Sequence, residues 1–146
     1  MEVDQKTETE QVQKRALKLK EVFVEPDTAE ADKCRVTVRL SNKGVLLSGT
    51  RTGPDTPDYK IMLTALCTID ALLQAIKDCA KMELLFIERQ KLEKVDREII
   101  MVLVDVDIDG ETRAATGACQ IKGNLLETAA RAVLDATNRI LERCFE

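Results

Sequence analysis

The residues best placed to hold a small charged ligand fall in two loops. These are Gly49-Thr50-Arg51-Thr52-Gly53-Pro54-Asp55-Thr56 and Thr116-Gly117-Ala118-Cys119-Gln120-Ile121-Lys122-Gly123. Each runs into a helical pattern. A helix start presents unpaired N–H groups and the positive end of the peptide dipoles, which suits a carboxylate. Arg51 or Lys122 would add a charge partner, and Asp55, Asp58 or Asn124 an acceptor for an ammonium group. The candidate ligand-binding set is Gly49, Arg51, Gly53, Asp58, Gly117, Ala118 and Asn124. On the blander reading the glycines are turn residues and Arg51 is solvated.

Other chemistry finds little support. Asp105, Asp107 and Asp109 resemble a metal motif, but they alternate with Val and Ile and so line the wet face of a strand. No calcium-loop spacing follows Gly110. The five cysteines are Cys34, Cys67, Cys79, Cys119 and Cys144. Their odd number and mostly apolar neighbours read as buried, reduced thiols, with no disulfide framework and no zinc knuckle. Histidine is absent, which removes the usual general base and the commonest zinc ligand. No catalytic residue, metal ligand or cofactor is expected.

The chain has 146 residues, 22 Lys+Arg against 26 Asp+Glu, and 3% aromatic residues. Its net charge of −4 argues against a general phosphate-backbone binder. No run of about 18 uninterrupted apolar residues suggests a membrane span. The start, MEVDQKTETEQ, has no basic-then-apolar leader pattern. A cytoplasmic protein is expected.

The elements that must position these loops form a plan written twice. Residues 1–14 read as a polar arm. In the first half, 15–81, three strands precede a helix: RALKLKEVFVEP ended by Pro26, RVTVRL alternating at Val36, Val38 and Leu40, and VLLSGTRTG after an Asn42-Lys43-Gly44 turn. Thr56 and Pro57 open a helix to about Lys81. The second half, 82–146, repeats the order: MELLFIERQKLEKV, then REIIMVLVDVDIDG with Asp109-Gly110 as the hairpin turn, and ETRAATGACQIKG as return strand and loop. Asn124 caps a helix from Leu125 to about Cys144, with Glu127 placed for a capping box. Gly44 and Gly110 differ by 66. The expected fold is α+β: two βββα repeats with pseudo-two-fold symmetry, each a sheet covered by a helix in two layers.

The helices differ. Leu126, Ala129, Ala130, Val133, Thr137, Ile140 and Cys144 make a narrow stripe on the second. On the first, apolar residues from Ile61 to Ile76 cover more than half the circumference, so it needs cover on more than one side. The other half supplies one side, and a second copy of the chain would supply the next. A homodimer is therefore expected.

DIDGETRAATG followed by LLETAARAVLDATNRIL resembles the C-terminal regulatory domain of 2-isopropylmalate and citramalate synthases, best over about 104–141. The match is carried by Gly110, Gly117, Leu125, Leu126, Glu127, Thr128, Ala129, Ala132, Asp135, Ala136 and Asn138. The first half matches in plan at Gly44, Gly49, Ala65 and Ala71, with Arg51 where the family has a second glycine. Asn124 replaces an acidic residue of the family, and Asp58 stands at the comparable place in the first half. The resemblance implies a dimeric, non-catalytic domain binding an end-product amino acid such as leucine or isoleucine at the interface. The catalytic barrel of those enzymes is missing. Two alternatives remain: a purely structural dimerisation module, and a degenerate double-stranded-RNA-binding-like domain. The second would need a Lys/Arg cluster at the helix start, where TPDYKIM and KGNLLET are nearly devoid of positive charge.

Overall fold

Strict alternation in the second strand of each repeat decides which way each sheet faces. Val36, Val38 and Leu40 are fully buried, and so are Ile100, Val104 and Val106, with Val102 nearly so. The computed structural model describes residues 17–144, so the arm expected over 1–14 lies outside the described residues. Strands β1 (Leu17–Pro26), β2 (Lys33–Asn42) and β3 (Val45–Pro54) form one antiparallel sheet in that order. Strands β4 (Lys81–Leu92), β5 (Arg97–Ile108) and β6 (Glu111–Gln120) form the other. Helix α1 (Pro57–Ile76) follows the first sheet and α2 (Leu125–Leu141) the second. The α+β fold of two βββα repeats is therefore present.

Both hairpins turn on two residues. Lys43 and Gly44 have φ of 51° and 83°, and Asp109 and Gly110 have 56° and 80°. Two successive left-handed residues match the right-handed twist of the flanking strands. The first strand of each sheet also shifts register at the same place, between Leu19 and Glu21 and between Leu84 and Phe86.

The caps form as the sequence suggests. Thr56 Oγ1 accepts the Tyr59 N–H at 3.4 Å, and Asn124 Oδ1 accepts those of Leu126 and Glu127, each at 3.0 Å. Helix α1 stops at Ile76 rather than near Lys81. Lys77 adopts φ 51°, which breaks the helical ladder, and Lys81 already opens β4, paired with Asp107 of β5. Helix α2 tightens into a 3-10 turn over Glu142–Cys144.

The repeats interlock reciprocally. Helix α1 packs on β2 and β3 of its own sheet, on α2, and on β4; α2 packs on β5, β6, α1 and β1. Exchanging the two halves maps one set onto the other, as a pseudo-two-fold requires. In α2, Ala132 and Ala136 face β6 while Leu134 and Asn138, on the other side, face β1. Each helix thus lies between its own sheet and the first strand of the other. This explains two differences from the sequence reading. No residue of α1 from Lys60 to Leu73 is exposed, so the cover its wide apolar arc requires comes from within the chain. The buried surface of α2 is also broader than a narrow stripe, taking in Thr128, Ala132, Leu134, Ala136 and Leu141. By length and mean hydropathy (1.4) α1 is apolar enough to cross a membrane; here it is packed inside this fold.

The cysteines are not all free. Cys79 and Cys144 form a disulfide with Cα atoms 5.8 Å apart, within the usual range. Their separation of 65 is that of Asp70 and Asp135, so both occupy one position of the repeat, just past the two helices. An odd count concealed this pair. It also removes the thiol-based ground for placing the chain in a reducing compartment.

Candidate functional site

The sequence-chosen residues have structural partners in the fold. Gly49 lies where α1 crosses β3: a Cβ there would overlap the Cys67 carbonyl oxygen. Gly117 lies where α2 crosses β6: a Cβ would overlap the Ala132 carbonyl oxygen and stand 2.8 Å from the Ala136 Cα. Gly49, rather than Arg51, is therefore the counterpart of Gly117. The hairpin from Val38 to Gly49 becomes Val102 to Gly117, two residues longer on each arm, which hides the equivalence in a turn-based alignment. Gly53 makes room for Leu63, whose Cδ1 would stand 2.9 Å from an added Cβ.

Arg51 is held by Asp70 in a two-pronged pair, Nε to Oδ2 at 2.8 Å and Nη2 to Oδ1 at 3.0 Å. This hydrogen bonding pushes the guanidinium pKa further up. Asp135, the counterpart of Asp70, accepts the Ala118 N–H at 3.2 Å through Oδ2. The two aspartates thus tie helix to last strand in both repeats. Asn124 spends its side-chain oxygen on the α2 cap. Asp58 is exposed in the first turn of α1, and by role the counterpart of Asn124 is Thr56. These seven positions are spread over the starts and crossings of both helices, and the structure does not gather them at one point.

The thiols are quiet for a physical reason. Cys67 is buried, and loss of hydration pushes its pKa up to about 12. Its Sγ donates to the Val36 carbonyl at 3.2 Å. Burial also raises the pKa of Cys34. A raised pKa leaves less thiolate at any working pH, and only the thiolate attacks. At pH 8 a disulfide reagent should therefore modify Cys119, which is half-buried, well before the other two free thiols. Cys34 and Cys67 should react only when a denaturant opens the fold; fast labelling of all three in native protein would contradict this.

A cleft lies elsewhere, between β1 of the first repeat and α2 of the second. It measures about 440 Å³ and is lined by Leu17, Lys18, Leu19, Arg131, Leu134, Asp135 and Asn138. Arg131 has no ion-pair partner among the described residues. At the corresponding helix positions α1 carries Leu66, Ile69, Asp70 and Leu73, so Arg131 and Asn138 have apolar counterparts and only the aspartate is shared. Sequence reasoning passed over Arg131, which lies off the apolar stripe of α2, and read Asp135, at the helix position equivalent to Asp70, as a surface residue. Asp135 and Asn138 do belong to the stretch that carries the family resemblance.

No protein-family model matches this chain, and no curated protein matches it.

Proposed function

We propose that the chain is a non-catalytic regulatory domain that senses a small zwitterion, a branched-chain amino acid by its resemblance to the regulatory domain of 2-isopropylmalate synthases. The observation that supports this reading is the cleft between β1 and α2. The Arg131 guanidinium suits a carboxylate and the Asp135 carboxylate an ammonium group, while Leu17, Leu19 and Leu134 suit an aliphatic side chain. Its walls come from different repeats, so an occupant binds one arrangement of the halves better than another. That differential affinity is what regulation requires. The RNA-binding alternative loses ground at the start of α1, where Lys60 Nζ is already paired with Asp55 at 3.1 Å.

Thermal denaturation with leucine, isoleucine and valine tests the reading. A ligand at about a hundred times its dissociation constant adds about 2.7 kcal/mol to the native state. At this chain length that raises the midpoint by about 8 °C. Arg131→Ala should abolish the rise without lowering the ligand-free midpoint by more than about 2 °C. No rise with any of the three up to about 10 mM would end the proposal.

A further inference from the structure

The two sheets are built alike but dressed differently on the side away from the helices. On the first sheet this outer face carries Glu21, Arg35, Thr37, Arg39 and Thr50. The same five places on the second carry Phe86, Ile99, Met101, Leu103 and Ala118. The first sheet's outer face has Phe23 opposite Thr37 and Leu46 opposite Ser41, but its central strand β2 carries only Arg35, Thr37 and Arg39 there, so the fold does not need apolar residues at these places of the central strand. Phe86 is 43% exposed and Met101 37%. A contiguous apolar face of this kind marks an interaction surface.

The sequence along β5 suggests the partner. Its outward residues read Arg97, Ile99, Met101, Leu103, Asp105, Asp107: a cation at one end, an apolar middle, anions at the other. We propose that this face pairs with the same face of a second copy, related by a two-fold axis in the interface plane and perpendicular to β5. Such an axis reverses the strand. It sets Met101 against the partner's Met101, Ile99 against the partner's Leu103, and Arg97 against the partner's Asp105. The row is its own complement, which is what a closed two-fold interface requires. Stacked sheets lie about 10 Å apart, and with the axis at Met101 the two faces overlap over Arg97–Asp105, roughly 30 by 14 Å across three strands. Side-chain relief brings that footprint towards the ~600 Å² per partner of the smaller, weaker interfaces. Glu88, opposite Met101 on the edge strand β4, faces its own copy across the same axis and is the one repulsive element.

Sedimentation velocity of the full chain at about 50 μM tests this, and the expected species is a dimer. The double substitution Met101→Thr with Leu103→Arg uses residues the first sheet already carries at these places. It should keep the circular dichroism midpoint within a few degrees and yield a monomer. Arg97→Asp should weaken association at least tenfold. Adding Asp105→Arg to the same chain should restore it, because each copy contributes both charges, and Glu88→Gln should tighten it. A monomeric wild-type chain overturns the proposal. So does a dimer indifferent to the Met101/Leu103 change, a charge reversal without rescue, or a dimer lost instead through Leu66→Glu on α1.

Discussion

With Cys79 and Cys144 both changed to serine, the melting midpoint should fall by about 12 °C. The disulfide closes a 65-residue separation that contains almost the whole second repeat. Chain-entropy reasoning assigns such a closure about 4 kcal/mol, through states denied to the unfolded chain. At this length 1 kcal/mol corresponds to about 3 °C. Adding a reductant to the wild-type protein should lower the midpoint by the same amount, and reductant should leave the double serine variant unmoved. A drop below about 3 °C, or a further reductant effect on the variant, would show that the crosslink does not constrain the unfolded chain as described.

Gly117→Val should produce no folded protein at 25 °C. The added Cβ meets backbone on two sides, the Ala132 carbonyl oxygen and the Ala136 Cα, and neither can swing away as a side-chain tip would. Moving α2 off β6 would uncover Ala115 and Val133, both now buried. Overpacking commonly costs about 1–3 kcal/mol, and backbone-to-backbone overlap places this change beyond that range, above about 4 kcal/mol. Gly110→Ala is the control. Nothing lies within 4 Å of a Cβ there, so only its φ of 80° opposes the change, at a cost of about 1–2 kcal/mol. Circular dichroism and soluble yield separate the two outcomes. A cooperative melt for Gly117→Val within a few degrees of wild type would refute the close-approach account.

The repeat was legible in the sequence because its signals are local. The alternation at Val36–Leu40 and Val102–Ile108, the two left-handed turns and the caps at Thr56 and Asn124 each depend on neighbours a few residues away. What escaped depends on distance. The end of α1 was overrun because apolar residues continue to Ala80 while the break lies in the backbone of Lys77. The pairing of Gly49 with Gly117 was obscured by the longer second hairpin. The need of α1 for cover was read correctly, but its source, β4 of the other repeat, is a tertiary fact. The cleft was invisible for the same reason: Arg131, Asp135 and Asn138 are ordinary solvated helix residues until β1 arrives from the far end of the chain.

The bridge between Cys79 and Cys144 joins a position to its own duplicate. A half-length polypeptide carrying one such thiol, on meeting its twin about the same rotation, would place the two sulfurs side by side, where a thiol oxidant taking up two electrons would join them into a covalent pair. Cleaving the peptide bond after Ala80 would accordingly leave the halves still linked, because Cys79 stays with the first and Cys144 with the second.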